Sequence, residues 1–107
     1  MPARVGGDGD DEADWPGDRL TALRTQLDEI DERLVRVIEE RFRVTREVGR
    51  LKAEVGLPPL DVAREERILA RLGTVAGTAQ LDPELLRGIY RRIFDAVVAE
   101  HRAASRS

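Results

Sequence analysis

The stretch that decides the fold is RLTALRTQLDEIDERLVRVIEERFRVTREVGRLKAEV, residues 19–55. It contains no proline, and its one glycine is Gly49. Apolar residues recur at alternating steps of three and four, the spacing that places side chains on one face of a long helix. The stretch therefore predicts one amphipathic helix, whose apolar stripe comprises Leu20, Leu23, Leu27, Ile30, Leu34, Val37, Val44, Val48, Leu51 and Val55.

Arg41 interrupts this stripe between Val37 and Val44, where the spacing calls for an apolar side chain. A guanidinium keeps its charge, so its burial on an apolar face is costly unless an anion meets it. Lys52, the single lysine of the chain, follows 11 residues later. That is about three turns, so both cations project from nearly the same side of the helix. Together they indicate an anion-binding face, although each alone also fits an ordinary surface charge.

Length and composition limit the architecture and the chemistry. The chain has 107 residues, 41% of them hydrophobic, and no cysteine. We expect one domain with a modest core, and neither a disulfide framework nor a thiolate metal site. A helix over residues 19–55 would be roughly 55 Å long, more than such a domain needs, so we expect it to pack against a second copy. No apolar run reaches the roughly 20 residues of a membrane span, and no signal peptide is evident, which predicts a soluble, cytoplasmic protein.

The formal net charge of −3 is unevenly distributed along the chain. Residues 1–18 hold six acidic side chains, one arginine and four glycines. We expect residues 1–17 to form a disordered acidic tail, because this composition buries too little apolar surface to fold. Residues 18–105 are expected to form the helical domain. Its cations alternate with acids and make no continuous basic stripe, so nucleic-acid binding is not expected.

Capping and turn residues divide the domain into three helices. The first is expected to run from about Asp18, as N-cap, to about Val55, because Gly56 and a Pro-Pro pair follow. The second is expected to start near Asp61 or Val62. Its apolar positions keep helical spacing, and two glycines, Gly73 and Gly77, are expected to mark its frayed end.

The third helix has a clear start in Asp82-Pro83-Glu84, with an N-cap, a proline at the first helical position and an acid near the positive end of the dipole. No stretch of the chain predicts a strand. The expected class is all-α: a three-helix subunit with one long and two shorter helices. The stripe of the third helix is Leu86, Ile89, Tyr90, Ile93, Phe94 and Val97, with His101 one turn further on.

Arg24 is too far from Arg41 to share a small ligand within one subunit, since 17 residues span about 25 Å of helix. If two long helices pair antiparallel, Arg24 of one copy would approach Arg41 of the other, and a two-fold dimer would contain two composite sites. The alternative is an exposed charge beside Asp28, which contributes little to stability.

The turn into the second helix carries Asp61, Arg64 and Glu65. Helix capping by Asp61 and local ion pairing explain these residues without a ligand. The functional alternative is a carboxylate that accepts a hydrogen bond from a substrate hydroxyl opposite the cations of the first helix.

As a set, these residues resemble the all-helical chorismate mutases. The resemblance covers roughly residues 18–103 and implies intertwined homodimers of three-helix subunits, in agreement with the overlong first helix. It also implies conversion of chorismate to prephenate, on the route to phenylalanine and tyrosine, without metal or cofactor. The matching positions, in one ungapped register, are Leu23-Arg24, Asp31-Glu32, Arg41, Lys52, Asp61 and Arg64-Glu65.

The resemblance also implies roles. Arg41, with Arg24 from the other subunit, would hold the two substrate carboxylates, and Lys52 would reach one carboxylate and the ether oxygen of the breaking bond. Glu65 would accept the ring hydroxyl's hydrogen bond, helped by the backbone near Asp61. Arg64, at the rim, would steady the carboxylates of this turn. The apolar walls would be Val48, Ile68 and Phe94.

The third helix departs from the family pattern. Family members commonly carry a glutamine, or in some branches a glutamate, as second partner of the ether oxygen, and the aligned residue here is His101. A small hydroxyl residue common one turn earlier is Val97 here. His101 could donate to the ether oxygen as a neutral tautomer or as imidazolium, or it could be an amphipathic residue near a fraying helix end.

These departures leave other functions open. One is a 4-amino-4-deoxychorismate mutase of antibiotic biosynthesis, and another is an isochorismate pyruvate lyase. A non-enzymatic alternative is a helical dimer that serves as an interaction module or activates a larger shikimate-pathway enzyme. A further alternative is an active mutase that binds a partner enzyme of the shikimate pathway.

Overall fold

A computed structural model describes residues 16–106 of the chain. Over this range the backbone forms three helices and no strand: α1 (Pro16–Val55), α2 (Val62–Thr78) and α3 (Pro83–Arg106). The predicted all-α class with one long and two shorter helices is confirmed. The described chain divides into two units, residues 16–40 and residues 41–106, and α1 contributes to both. The predicted acidic tail lies outside the described residues except for Pro16 and Gly17.

Both ends of α1 follow from the local sequence. The helix begins at Pro16, so the prediction that Asp18 is the N-cap is wrong, and Asp18 lies in the first turn. Proline suits a first helical position because it needs no hydrogen-bond acceptor there, and a carboxylate in the first turn faces the positive end of the dipole. At the other end Gly56 has φ +77°. The Leu57 N–H donates to the Lys52 carbonyl over 2.9 Å, which closes the helix as predicted.

The ends of α2 and α3 use the expected capping groups, with one exception. Asp82 accepts a 3.0 Å hydrogen bond from the Glu84 N–H, and α3 begins at Pro83, both as predicted. The C-terminus of α2 differs, because the helix runs through both of its glycines to Thr78. It is closed instead by Gln80, which has φ 57°. This left-handed residue lets the Leu81 N–H reach the carbonyl of Ala76 at 3.0 Å.

The first unit consists of residues 16–40 of α1, and its apolar stripe faces solvent. The stripe side chains are between 45% and 59% exposed. A long row of exposed leucine, isoleucine and valine on one helix face is typical of a surface that another protein covers. The residues of this row, called the exposed stripe below, are Leu20, Leu23, Leu27, Ile30, Leu34 and Val37.

The second unit contains the end of α1, α2 and α3, and it has the small core that the composition predicts. Its buried apolar side chains are Ile68 and Ala76 on α2 and Phe94 on α3. Gly49 on α1 and His101 on α3 are also buried. None of the helices described for residues 16–106 is both long enough and apolar enough to cross a membrane.

Candidate active site

Arg41 is half-buried on α1, with its guanidinium carbon 5.5 Å from the centre of the Tyr90 ring on α3. The aromatic face stabilises the cation but accepts no conventional hydrogen bond. Nη1 of Arg41 is buried and meets no hydrogen-bond acceptor within residues 16–106. A buried charged donor without an acceptor is costly, typically by more than about 1–3 kcal/mol. Within residues 16–106 this donor is therefore left without an acceptor, at the position where the apolar stripe is interrupted.

Lys52 is half-buried at the end of α1, and its Nζ donates to the Pro59 carbonyl over 3.2 Å. The turn at Gly56 brings this carbonyl back towards the helix, because its positive φ reverses the chain direction. An ammonium has three donors, so the bond to Pro59 fixes the side chain and leaves donors for a ligand. The loop between α1 and α2 thus holds the cation in place.

Asp61 is the N-cap of α2: its Oδ1 accepts a 3.0 Å hydrogen bond from the Arg64 N–H. The capping interpretation is confirmed. The Glu65 N–H in turn donates to the Asp61 carbonyl over 3.1 Å. Asp61 and Arg64 are exposed, whereas Glu65 is half-buried. The cap fixes the first turn of α2 and so determines where the Glu65 side chain lies.

Glu65 forms an interhelix ion pair that the sequence did not predict. Its Oε1 lies 3.0 Å from Nη1 of Arg91 on α3. The Glu65 side chain is 13% exposed and that of Arg91 is 51% exposed. The Arg91 guanidinium carbon also lies 5.8 Å from the centre of the Phe94 ring, which packs edge-on against Tyr90. Arg91 therefore holds a carboxylate that is mostly shielded from water.

His101 is 4% exposed and packs against α1. Its Nε2 lies 2.7 Å from the Thr45 carbonyl oxygen. Because that oxygen can only accept, Nε2 carries a proton, and in the neutral ring Nδ1 can then only accept. Nδ1 is buried without a hydrogen-bond partner in the described part of the chain. The flanking residues Arg46 and Glu100 pair with each other at 3.3 Å.

Gly49 makes room for this histidine. A Cβ built on Gly49 would lie 2.5 Å from Cδ2 and 2.9 Å from Nε2 of His101. Both are atoms of a rigid ring that is itself hydrogen-bonded to α1, so the ring cannot yield without losing that bond. The close approach of α3 to α1 at this point therefore requires glycine.

Gly49→Ala is accordingly expected to destabilise the fold by about 1–3 kcal/mol through overpacking, although alanine is the better helix former. Urea or thermal unfolding measures this. Gly88→Ala is the matched control, because Gly88 lies in α3 and a Cβ added there would meet nothing within 4 Å. That variant is expected to gain up to about 1 kcal/mol. Equal stabilisation in the two variants would contradict the contact with His101.

Residues 23–102 of the chain match the family described as chorismate mutase type II. The chain belongs to this family. The match includes every residue singled out above as a candidate for the site, from Arg24 on α1 to His101 on α3.

Curated relatives of this chorismate mutase type II chain differ greatly in length. It is 35% identical over 74 residues to the T-protein of Enterobacter agglomerans, covering 69% of this chain and 20% of that protein. It is 36% identical over 73 residues to the 3-dehydroquinate dehydratase of Pyrobaculum aerophilum, 68% of this chain and 24% of that protein. With the chorismate mutase of Methanocaldococcus jannaschii it shares 28% identity over 86 residues, 80% and 83% of the two chains. The chain thus spans a quarter or less of the first two relatives.

The remaining family positions divide between core and surface. Ile68 and Phe94 are buried, Val97 is half-buried and Val48 is exposed. Arg24 is exposed in the first unit. The contacts above connect Lys52 to the loop before α2, Glu65 of α2 to α3, and both Arg41 and His101 to their facing helices. No group of three or more acidic or histidine side chains within residues 16–106 is placed to hold a metal ion.

Proposed function

We propose that this chain catalyses the rearrangement of chorismate to prephenate as a cytoplasmic enzyme of phenylalanine and tyrosine biosynthesis, with residues 18–105 as the catalytic domain. Membership of the chorismate mutase type II family supports the reaction. The observation that carries the assignment of the site is Arg41, a guanidinium on a helix face with a buried N–H that no acceptor meets within residues 16–106. A dianionic substrate supplies the acceptor that this group lacks.

The reaction needs no nucleophile, because the substrate reorganises its own bonds. One carbon–oxygen bond breaks while one carbon–carbon bond forms, in a single cyclic step. The protein contributes by holding the enolpyruvyl arm over the ring, which removes the conformational and entropic part of the barrier. Arg41 and the partner subunit's Arg24 hold the two carboxylates, since guanidinium geometry suits paired hydrogen bonds to a carboxylate.

Lys52 stabilises the transition state. The ether oxygen gains negative charge as its bond to the ring breaks, and a fixed ammonium near it binds that state more tightly than the ground state. The hydrogen bond from Lys52 to the Pro59 carbonyl supports this role, because it positions the cation before substrate arrives. Lys52 also contacts one substrate carboxylate.

The opposite end of the substrate is held at the start of α2. Glu65 accepts the hydrogen bond of the ring hydroxyl, and the backbone near Asp61 assists. Arg64 lies at the rim and steadies the carboxylates of this turn. Val48, Ile68, Phe94 and Val97 provide apolar walls.

His101 contributes a second donor to the ether oxygen in this proposal. With Nε2 bound to the Thr45 carbonyl, the ring can donate from Nδ1 as imidazolium and not as a neutral ring. His101→Ala is therefore expected to lower kcat for chorismate, and His101→Gln, whose amide keeps a hydrogen-bond donor, to lower it less. Equal kcat values for all three proteins would remove His101 from the mechanism.

A homodimer completes the site. The exposed stripe of α1 supports a second copy as its occupant, because Arg24 flanks the stripe, one position beyond Leu23 and about a quarter of a turn from it. Two antiparallel α1 helices bury both stripes at once and bring each Arg24 to the Arg41 of the other chain.

Assays of the purified protein with chorismate, 4-amino-4-deoxychorismate and isochorismate test the proposal. Prephenate formation from chorismate with the highest kcat/KM is the expected result. Pyruvate release from isochorismate, or preference for the amino compound, would replace the proposed reaction. Inactivity with all three substrates would favour the non-enzymatic alternative, a helical interaction module that, for example, activates a larger shikimate-pathway enzyme.

A further inference from the structure

The ion pair between Glu65 and Arg91 bears on which ring substituent the site accepts. The 3.0 Å contact engages Oε1 of Glu65 and so leaves Oε2 to accept from a ligand. Only 13% of the Glu65 side chain is exposed, so water screens its charge weakly, and the guanidinium is the countercharge in direct contact with it. A pair of this kind presents a nearly neutral hydrogen-bond acceptor instead of a bare anion.

Two substituents respond differently to such an acceptor. A hydroxyl is neutral and needs an oriented lone pair, which the paired carboxylate still offers. An amine on the same ring carbon is protonated near neutral pH. Its ammonium is attracted by the carboxylate but repelled by a guanidinium a few ångströms further on. The Glu65–Arg91 pair therefore favours a hydroxyl over an ammonium more strongly than an unpaired Glu65 carboxylate would.

We propose that Arg91 is a specificity-determining positioning residue, which holds the Glu65 carboxylate and partly cancels its charge so that the site prefers a 4-hydroxyl to a 4-ammonium ring. This inference rests on the proposed function, because it takes Glu65 as the group that meets the ring substituent. Arg91 acts through Glu65 and does not itself touch the substrate. Its packing over the Phe94 ring keeps the guanidinium in that position.

The test compares kcat/KM for chorismate with kcat/KM for 4-amino-4-deoxychorismate in the same enzyme preparation. The ratio of the two values does not depend on how much of the protein is folded. Arg91→Gln is expected to shift the ratio towards the amino compound, on the order of tenfold for a cation removed at this range in a partly screened site. Arg91→Lys retains the charge and is expected to keep the wild-type ratio.

Arg46→Gln is the matched control, because Arg46 is also 51% exposed and also pairs with a glutamate on another helix. Its ratio is expected to equal that of wild type. An unchanged ratio in Arg91→Gln, with active enzyme, would overturn this inference and leave the proposed function in place. The same shift in Arg46→Gln would overturn it too, because the effect would then be one of net charge. Wild-type protein inactive on both compounds would remove the proposed function itself, and the inference with it.

Discussion

Lys52→Ala is expected to lower kcat/KM for chorismate by about 10²- to 10³-fold or more, with the larger part of the loss in kcat. The magnitude is that of removing one preorganised donor from a developing oxyanion. The loss should fall on kcat because the interaction strengthens as the ether bond breaks, whereas a group that binds only the ground state would affect KM. Steady-state assays of prephenate formation measure both constants.

The control for Lys52→Ala is Arg50→Ala. Arg50 is an exposed cation two residues earlier on the same helix, so its removal makes the same change in net charge. We expect its kinetics to stay within a small factor of wild type. Equal rates for Lys52→Ala and wild type would contradict the electrostatic mechanism. An intact biological role for Lys52→Ala despite lost turnover would instead support the interaction module.

The second large effect is expected from Ile30→Asp, which places a carboxylate in the middle of the exposed stripe. If a second copy covers this stripe, the substitution buries a charge without a partner, at a cost of several kcal/mol. The dimer is then expected to dissociate at least about 10³-fold more readily. Activity is expected to be lost together with the dimer, because each site lacks the partner subunit's Arg24.

Analytical ultracentrifugation across a concentration series measures this dissociation. Thr25→Asp is the matched control, because Thr25 is an exposed residue about half a turn from the stripe face and receives the same charge. It is expected to remain dimeric. A wild-type protein that sediments as a monomer would contradict the proposal that a second copy covers the exposed stripe. An Ile30→Asp protein that sediments as a dimer would contradict it too.

Much of the fold could be predicted because the decisive signals are local. The spacing of Leu, Ile and Val in residues 19–55 determines one helical face, and Gly56 with its positive φ ends that helix where expected. Asp61 and Asp82 cap the next helices through bonds to residues two or three positions on. The errors are local too. The first helix starts at Pro16, and α2 is closed by Gln80, a residue type with no marked preference for a left-handed conformation.

The site was only partly predictable, because its contacts join residues far apart in the chain. Arg41 could be recognised, since it breaks an apolar stripe. Arg91 could not, because it is one of many arginines and lies 26 positions from Glu65. The contact between His101 and Gly49 has a weak signal at most: a glycine within a long helix usually indicates a close approach, but its partner is not identified by spacing.

The most direct test of the central claim, a site shared by two chains, uses two inactive variants. Arg24→Ala and Lys52→Ala, co-expressed with different affinity tags, give a heterodimer that two successive purifications isolate. If Arg24 serves the partner subunit, one of its two sites is intact, and we expect about half the wild-type activity per dimer. A heterodimer as inactive as either parent would contradict the shared site.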